Sequence, residues 1–398
     1  MLSNVIVFLT AGRILYYPYC RVNQNEPDLF HRVYLMTALS FRTNRSLLRR
    51  YLLAGYVLMI AYASLSPFAG WQASAPTFVE VLASPLSQAY TAFDAAANWL
   101  AYLPLGMLLA LNLGTRFKPG QSVLLATLAA LLLSMAMEYL QTYLPMRAAA
   151  SVDVLTNGLG ALCGAVLAVW IAPRAWFARA TQWRIELFQR GDGVDFGLAL
   201  VMLWMFAQIN PSLPMLGNVF LTEEAGRIAA FAPPQFSLWA SAAVACNLLL
   251  IGLLLQTLFR IRRHVVAALL LMLSVVALGK FITAAVLLRS WALMLWLNGE
   301  AVLGLLAGLA LTGVSFWLSR TALLWAAAAA SAVYLALAAG VLDSAAPAAA
   351  MRLYHWHYGH LRNFNWMSQI VSAVFPVLLV IYLAWARRRI MNGEESDK

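Results

Sequence analysis

The sequence predicts an all-α, polytopic membrane protein with about ten transmembrane helices. Of its 398 residues, 63% are hydrophobic and only 11% are charged, and the mean hydropathy is +0.75. Soluble domains carry about 25% charged residues, so this chain has too few charges to cover a water-facing surface. The composition excludes a soluble globular enzyme and a disordered chain. The second observation is a series of apolar stretches that approach the roughly 20 residues a helix needs to span a bilayer.

Taken in order along the chain, the apolar stretches predict ten spans. Their limits are 51–66, 94–113, 123–144, 152–171, 196–210, 237–258, 265–288, 299–318, 321–341 and 366–386. The fifth stretch is short for a full crossing. The seventh contains Lys280 and continues almost directly into Trp291–Leu297, for which a re-entrant or interfacial segment is an alternative.

The distribution of basic residues predicts the orientation of these spans. Arg147, Arg227, Arg289, Arg352 and Arg362 are the positive residues that fall on one side, whereas most of the 27 Lys and Arg residues fall on the other. Positive residues collect on cytoplasmic loops. Both termini are therefore expected on the cytoplasmic side of the membrane. This bias also explains the net charge of +11 without a nucleic-acid partner.

Two segments outside the spans have their own predictions. Residues 1–50 form an N-terminal cytoplasmic extension, and Met36 begins an ordinary basic lead-in to the first span, so we hypothesise that residues 1–35 are not native. Residues 172–195 form a cytoplasmic linker in which Trp and Phe alternate with Arg. That pattern is typical of an amphipathic helix on an anionic membrane surface.

An internal repeat is expected from similar segments about 144 residues apart. Tyr56–Pro67 resembles Leu200–Pro211, and Arg116 and Arg260 follow the second and sixth spans at the same separation. The sequence therefore predicts two parallel, diverged four-helix units at 51–171 and 196–320, followed at 321–398 by a terminal helix pair with an aromatic outer loop and a cytoplasmic tail.

The strongest polar pattern lies on the third and fourth spans. Glu138 and Gln141 share a helix face, Ser151 can cap the next helix, and Asp153 lies in its first turn, where the helix dipole favours an anion. The stripe that begins with Asp153 continues through Asn157, Gly160 and Gly164, and two small residues four apart let another helix approach closely.

A second polar stripe follows the second span. Asp94, Asn98 and Tyr102 recur every four residues there, so they share one face. Both stripes are expected at the non-cytoplasmic ends of their helices, where they could meet Arg147. One interpretation is a satisfied network in which Arg147 pairs with Asp153 or Glu138 and locks the helix turn. The other is a polar pocket open to the outer leaflet, because ionisable groups at membrane depth need a cavity or a partner.

These residues resemble the VanZ-like family of bacterial membrane proteins. The resemblance rests on the pattern from Asp94 through Asn98 to Gly106, and on the block from Glu138 to Gly164. It covers residues 51–171, under a third of the chain. The family takes its name from a teicoplanin-resistance protein, so the resemblance implies a role in the cell envelope without implying a particular reaction.

From these residues we expect the protein to bind an amphiphilic envelope component such as a lipid-linked glycan or a phospholipid headgroup. A second form of this hypothesis is that the protein also processes the bound component. Glu138 and Asp153 are the candidate catalytic residues: Glu138 as acid or base, and Asp153 to orient Arg147. Arg147 would hold a phosphate or carboxylate. The full set of candidate ligand-binding residues is Arg147, Gln141, Asn157, Asn98, Asp94 and Ser151. The alternatives are a proton-coupled secondary transporter and a non-catalytic membrane scaffold.

No cofactor or metal site is predicted. Cys20, Cys163 and Cys246 form no Cys-x-x-Cys pair. In the outer loop, His355, His357 and His360 have ligand-like spacing, but an aromatic belt or lid explains that loop better. Lys280 is expected to pair with Glu300 or to extend toward the outer boundary. Membrane lipids and an envelope precursor are the expected partners.

Overall fold

A computed structural model describes most of the chain after residue 46. The described residues are 9–10, 13–14, 47–66, 68, 70–73, 80, 91–144, 151–189, 192–222, 226–227, 236–339, 346–356 and 359–391. The chain divides into two units, Met1–Arg45 and Ser46–Lys398. In the first unit, β1 (Leu9–Thr10) pairs antiparallel with β2 (Arg13–Ile14). The proposed start at Met36 lies outside the described residues.

The second unit is built from helices, which we number in chain order. They are α1 (Leu47–Leu65), α2 (Ala92–Leu113), α3 (Pro119–Gln141), α4 (Ser151–Ile171), α5 (Ala175–Leu187), α6 (Asp192–Gln208), α7 (Leu238–Leu258), α8 (Arg263–Leu287), α9 (Gly299–Ser315), α10 (Arg320–Ala339), α11 (Ala346–Ala349) and α12 (Gly359–Met391). Two short 3-10 segments, Ser290–Ala292 and Ala350–Leu353, lie at the loops after α8 and α11.

The helices confirm the prediction of a polytopic helical membrane protein. Each of the ten predicted spans overlaps a helix, and seven of the described helices are long and apolar enough to cross a membrane. The remaining three differ in length or composition: α6 and α9 are shorter apolar helices, and α1 carries the charged pair Arg49 and Arg50 in its first turn. The segment after α8 forms a 3-10 turn and further turns before α9, with no helix of its own.

The helix ends gather at two levels. At one end, which we call the basic end, the Arg49 guanidinium donates to Leu111 O at 3.1 Å and Arg262 donates to Phe316 O at 2.7 Å. The other end, which we call the polar end, joins α2 to α4, α3 to α1 and α12 to α2 through side-chain contacts. Which of these ends faces the cytoplasm stays a prediction from the charge distribution.

The most extensive helix contact, between α2 and α4, depends on glycine. A Cβ added at Gly160 would lie 2.2 Å from Trp99 O, and one at Gly164 would lie 1.9 Å from Leu103 O. On the facing helix, a Cβ at Gly106 would lie 1.9 Å from Ala161 O. The two backbones therefore touch along this seam, which is the close approach that the small-residue spacing predicts.

The second half of the chain packs α7 against α9 in a similar way. A Cβ at Gly304 would lie 2.6 Å from Ser241 O, and one at Gly308 would lie 2.9 Å from Ala245 O. Gly304 and Gly308 follow Gly160 and Gly164 by the 144 residues at which the sequence segments recur. This correspondence supports the predicted pair of diverged units, which stays a prediction. Around α7 lies the largest apolar core of the described residues.

Candidate functional site

A column of polar side chains follows α2 from the polar end toward the interior. Asp94, Asn98 and Tyr102 occupy successive turns of this helix, and each takes its partner from a different helix. The polar column consists of Asp94, His360, Asn98, Asp153, Tyr102, Ser134, Asn157 and Glu138. It draws residues from α2, α3, α4 and α12.

The outermost pair of the column is Asp94 with His360. Thr91 caps α2, and the Asp94 carboxylate completes this capping box by accepting hydrogen bonds from the Thr91 backbone N–H at 3.0 Å and from its hydroxyl at 2.8 Å. His360 Nε2 of α12 lies 3.4 Å from the other carboxylate oxygen. Next to this pair, the rings of Phe93 and Trp356 are 6.0 Å apart. The terminal helix and its preceding loop thus lie against the start of α2.

One turn deeper, Asn98 joins α2 to α4. Its amide nitrogen donates to Asp153 Oδ1 at 2.6 Å, and both side chains are partly buried. Asp153 lies in the first turn of α4, where the unpaired backbone N–H groups and the helix dipole favour a negative charge. A carboxylate fixed in this way can accept further hydrogen bonds without losing its position.

The innermost part of the column is enclosed by α2, α3 and α4. Tyr102 shares a side-chain hydrogen bond with Ser134, whose oxygen also accepts the Asn157 amide at 2.9 Å. Glu138 lies one turn after Ser134 on α3 and is only 4% exposed. Both Glu138 and Asp153 are close enough to act electrostatically on the Tyr102 hydroxyl.

One acceptor in this inner region has no partner among the described residues. Asn157 is 5% exposed, and its amide oxygen makes no hydrogen bond there. A buried amide oxygen without a donor costs free energy, about 1–3 kcal/mol. The inner column therefore offers a hydrogen-bond acceptor to a donor supplied from elsewhere.

The other predicted site residues lie beside the column. Gln141 donates from its amide to Ser64 O at 3.0 Å and so ties the end of α3 to the end of α1. Ser151 is the first residue of α4. Arg147 lies outside the described residues, so its predicted contacts with Glu138 and Asp153 stay predictions.

Two residues of the polar column, Ser134 and His360, are not among the site residues predicted from the sequence. Ser134 lies four residues before Glu138 and seven before Gln141, so helical spacing on α3 could have identified it. The sequence assigns His360 to an outer loop that acts as an aromatic belt or lid, and no local pattern connects it to Asp94, which precedes it by 266 residues. Only the packing of α12 against the rest of the bundle brings them together.

The other two histidines of the outer loop, His355 and His357, are considered with His360 as possible metal ligands. His355 packs its ring at 5.6 Å from that of Trp356, and His357 lies outside the described residues. Among the residues that the structure describes, no three His, Cys, Asp or Glu side chains form a group that could hold a metal ion.

The expected pairing of Lys280 with Glu300 is wrong. Lys280 is 0% exposed, and its ammonium donates to the backbone oxygens of Asn210 at 2.5 Å and Leu213 at 2.9 Å. It therefore does not extend toward the boundary either. Glu300 instead accepts the Ser237 backbone N–H at 3.2 Å. Lys280 stabilises the loop after α6, where the unwound backbone exposes carbonyl groups.

A second buried polar cluster surrounds that loop. The Asn210 amide donates to Asn365 Oδ1 and Ser368 Oγ, both at 3.0 Å, and the Tyr354 hydroxyl donates to Asn365 Oδ1 at 2.6 Å. The Ser212 hydroxyl bonds to Asn210 Oδ1 at 2.7 Å and to Asn365 Oδ1 at 3.0 Å. These side chains connect the second half of the bundle to α12, and their mutual hydrogen bonds make them a structural network.

The polar column, by contrast, is rich in acceptors that α-helices hold in place. Its described charged and amide groups comprise three carboxylates, one imidazole and two amides. Such a set can accept hydrogen bonds from hydroxyl or ammonium groups, and a buried carboxylate such as Glu138 can bind or release a proton. The column begins at the polar end, next to the exposed ring of Trp356.

Comparison with known proteins identifies the part of the chain that carries the column. The model of the VanZ/LLP1 family matches residues 29–172, a range that contains α1 to α4. Searches of curated proteins and of solved structures found no significant match. The column's own residues from α2, α3 and α4 all lie inside the matched range, and His360 lies outside it. Residues 29–172 of this multi-pass helical membrane protein are therefore similar to the VanZ/LLP1 family.

Proposed function

We propose that the polar column binds the headgroup of an amphiphilic component of the bacterial cell envelope. A lipid-linked glycan or a phospholipid would enter from the outer leaflet, with its chains along the apolar exterior of α2 and α4. The proposal places the polar end outside and the basic end in the cytoplasm, as the positive residues predict for an inner-membrane protein.

The observation that carries the proposal is the unmatched acceptor at Asn157, together with the buried carboxylate of Glu138. Helical membrane proteins keep such groups where they meet a partner or line a cavity. Hydroxyl or ammonium groups of a headgroup would supply donors to Asn157, Asp153 and Glu138. Arg147, expected at the same level, would hold a phosphate, since guanidinium binds phosphate oxygens in a two-point geometry.

The proposed assignment of roles is as follows. Asn98 holds Asp153 in position, and Asp153 and Asn157 contact the headgroup. Glu138 accepts a hydrogen bond from the ligand or exchanges a proton with it if the bound component is processed. His360 and Trp356 border the entrance, so the terminal helix takes part in access to the site.

Identification of bound lipids by native mass spectrometry tests this function. The full-length protein would be purified from its native membrane as wild type, Glu138→Gln, Asn157→Leu and Arg147→Ala. We expect one lipid class to be enriched on the wild type and lost from all three variants. Ser122→Ala is the matched control, because Ser122 is a fully buried polar residue of α3 at the basic end.

Two outcomes would contradict the proposal. If all variants retain the lipids of the wild type, the column binds no headgroup. If envelope function in cells is also unchanged in Glu138→Gln, Arg147→Ala and Asp153→Asn, a scaffold role explains the protein better.

A proton-coupled transporter is the second candidate. The observation that favours it is the continuity of the column from His360 at the polar end to the buried Glu138, because ionisable residues at membrane depth often relay protons. Proteoliposomes containing the wild type would then show proton flux, and Glu138→Gln would abolish it. An equal flux in both would exclude this role.

A further inference from the structure

The helix α5 lies at the basic end, outside the predicted spans, and contacts with the end of α7 and the start of α6 hold it there. After its last turn, Phe188 and Phe259 form an isolated antiparallel bridge, with hydrogen bonds from Gln189 N to Leu258 O at 2.8 Å and from Arg260 N to Leu187 O at 3.0 Å. These contacts fix the position of the C-terminal end of α5.

A second attachment uses charge. Arg184 forms an ion pair with Asp195, a carboxylate near the start of α6. The same carboxylate accepts the backbone N–H of Leu48 at 3.0 Å. Arg184 therefore turns toward the protein, and α5 cannot rotate about its axis without breaking this junction.

With the Arg184 side of α5 fixed in this way, the neighbouring face of the helix is apolar and uncovered. Trp176, Ala180 and Trp183 follow the spacing i, i+4, i+7 and share one face. Trp176 is 56% exposed and Trp183 is 60% exposed, and no residue of α5 is buried. Two large indoles side by side on a free helix face are costly in water but typical of the membrane interface.

A polar flank lies next to this apolar face. Gln182 donates to Glu186 at 2.9 Å, and Arg179 is exposed between that flank and the tryptophans. The preceding turn repeats the pattern, since the guanidinium of Arg174 lies 4.4 Å from the centre of the Trp170 ring at the end of α4. The aromatic face of α5 is thus continuous along the chain with the exposed end of a membrane-spanning helix.

We propose that α5 lies in the headgroup layer of the leaflet at the basic end and binds anionic phospholipid through Arg179. The occupant of its free face is the membrane surface itself: Trp176, Ala180 and Trp183 enter the interface, and Gln182 and Glu186 face water. A lipid surface fits better than a protein partner because the exposed set combines indoles with arginine at the height where α4 ends. This inference is independent of the function proposed for the polar column.

Spin-label accessibility tests the orientation of α5 in the full-length protein. A nitroxide would be attached at Ala180→Cys, on the apolar face, or at Gln182→Cys, on the polar flank, after replacement of the three native cysteines by serine. In nanodiscs of phosphatidylcholine with phosphatidylglycerol, the label at 180 should be more accessible to oxygen than to a water-soluble nickel chelate. The label at 182 should show the opposite preference. Equal and high access of the nickel chelate to both labels would overturn the proposal.

Lipid titration monitored by native mass spectrometry tests the charge requirement on the protein with its native cysteines. Because one arginine near an anionic surface contributes about 1 kcal/mol, Arg179→Gln should weaken phosphatidylglycerol binding about fivefold. Glu186→Gln, on the same helix, should not weaken it, and phosphatidylcholine binding should be unchanged in both. Equal phosphatidylglycerol affinity of wild type and Arg179→Gln would overturn the assignment of this residue.

Discussion

Asn98 and Asp153 join α2 to α4 through a 2.6 Å hydrogen bond from amide to carboxylate. The bond lies just beyond the glycine seam at which the two backbones touch, between Gly160 and Trp99 O. The seam brings the helices together, and the hydrogen bond fixes the side chain of Asp153 at the mouth of the inner column. Packing and the polar site therefore depend on each other.

We predict that Asn98 and Asp153 are energetically coupled. A double-mutant cycle with Asn98→Leu and Asp153→Leu, measured as free energies of unfolding in detergent, should give a coupling of about 1–1.5 kcal/mol, because transmembrane hydrogen bonds reach this range. The pair Thr127→Val and Asp153→Leu is the control, since Thr127 bonds only to Val123 O of its own helix among the described residues. A coupling near zero for Asn98 would show that the contact adds no stability.

The glycine seam should tolerate no side chain. Gly160→Ala places a methyl group 2.2 Å from the fixed oxygen of Trp99, so the helices must separate, and we expect a loss of about 3 kcal/mol in unfolding free energy. Gly313→Ala is the matched control because a Cβ there meets no atom within 4 Å. Gly313→Ala should not destabilise the protein, because alanine has the higher helix propensity, and a comparable loss in both variants would show that contact at the seam is not the cause.

The corresponding seam in the second half should respond in the same way. Gly304→Ala would place its Cβ 2.6 Å from Ser241 O. We expect destabilisation similar to that of Gly160→Ala, with one difference: lipid binding at the polar column should change only in Gly160→Ala, because α7 and α9 do not contribute to the column. Loss of the same lipid in Gly304→Ala would contradict this separation.

Lys280 should be essential for stability. Lys280→Met removes the donor that serves Asn210 O and Leu213 O in a fully buried position. Because each unsatisfied carbonyl costs about 1–3 kcal/mol, we expect a loss of about 3 kcal/mol after allowing for the charge no longer buried. Lys118→Met, at an exposed position before α3, is the control. If both variants unfold at the same temperature as the wild type, water replaces the Lys280 ammonium as the hydrogen-bond donor.

The fold could be predicted from the sequence because local properties determine it. Each of the ten apolar stretches overlaps one of the twelve described helices, and the spacing of Gly160 and Gly164 predicted the close approach of another helix, which is α2. Where one helix contributes two residues, as with Asp94 and Asn98, helical spacing placed them on a common face. At α12 this approach fails, because the helix begins at Gly359, seven residues before the predicted start at 366. Asn363 and Asn365 in this first part are polar, but hydrogen bonds to Ala63 O and Pro347 O let them lie buried within the helix.

The partners within the site could not be predicted in the same way. His360 reaches Asp94, and Lys280 reaches the loop at Asn210, through contacts between segments that are distant in sequence. A hydropathy pattern assigns a depth to each helix but not its neighbours. The sequence therefore identified most residues of the column and misassigned the partner of Lys280.

The network around Asn365 should depend on one phenol. The hydroxyl of Tyr354 donates to Asn365 Oδ1 at 2.6 Å, and burial raises the pKa of Tyr354, so the hydroxyl stays protonated and remains a donor near neutral pH. Tyr354→Phe keeps the ring but removes this donor. We expect a loss of about 1 kcal/mol in unfolding free energy, the net contribution of one hydrogen bond, because Asn365 Oδ1 keeps the donors of Asn210 and Ser212.

The same substitution at an exposed tyrosine provides the comparison for Tyr354. Tyr139 shares a 2.7 Å hydroxyl contact with Tyr143 on the surface, where water replaces a lost hydrogen bond. Tyr139→Phe should therefore leave the unfolding free energy close to that of the wild type. If the two variants lose equal stability, burial does not determine the effect, and the Asn210–Asn365 cluster is not the link that holds α12 against the second half of the bundle.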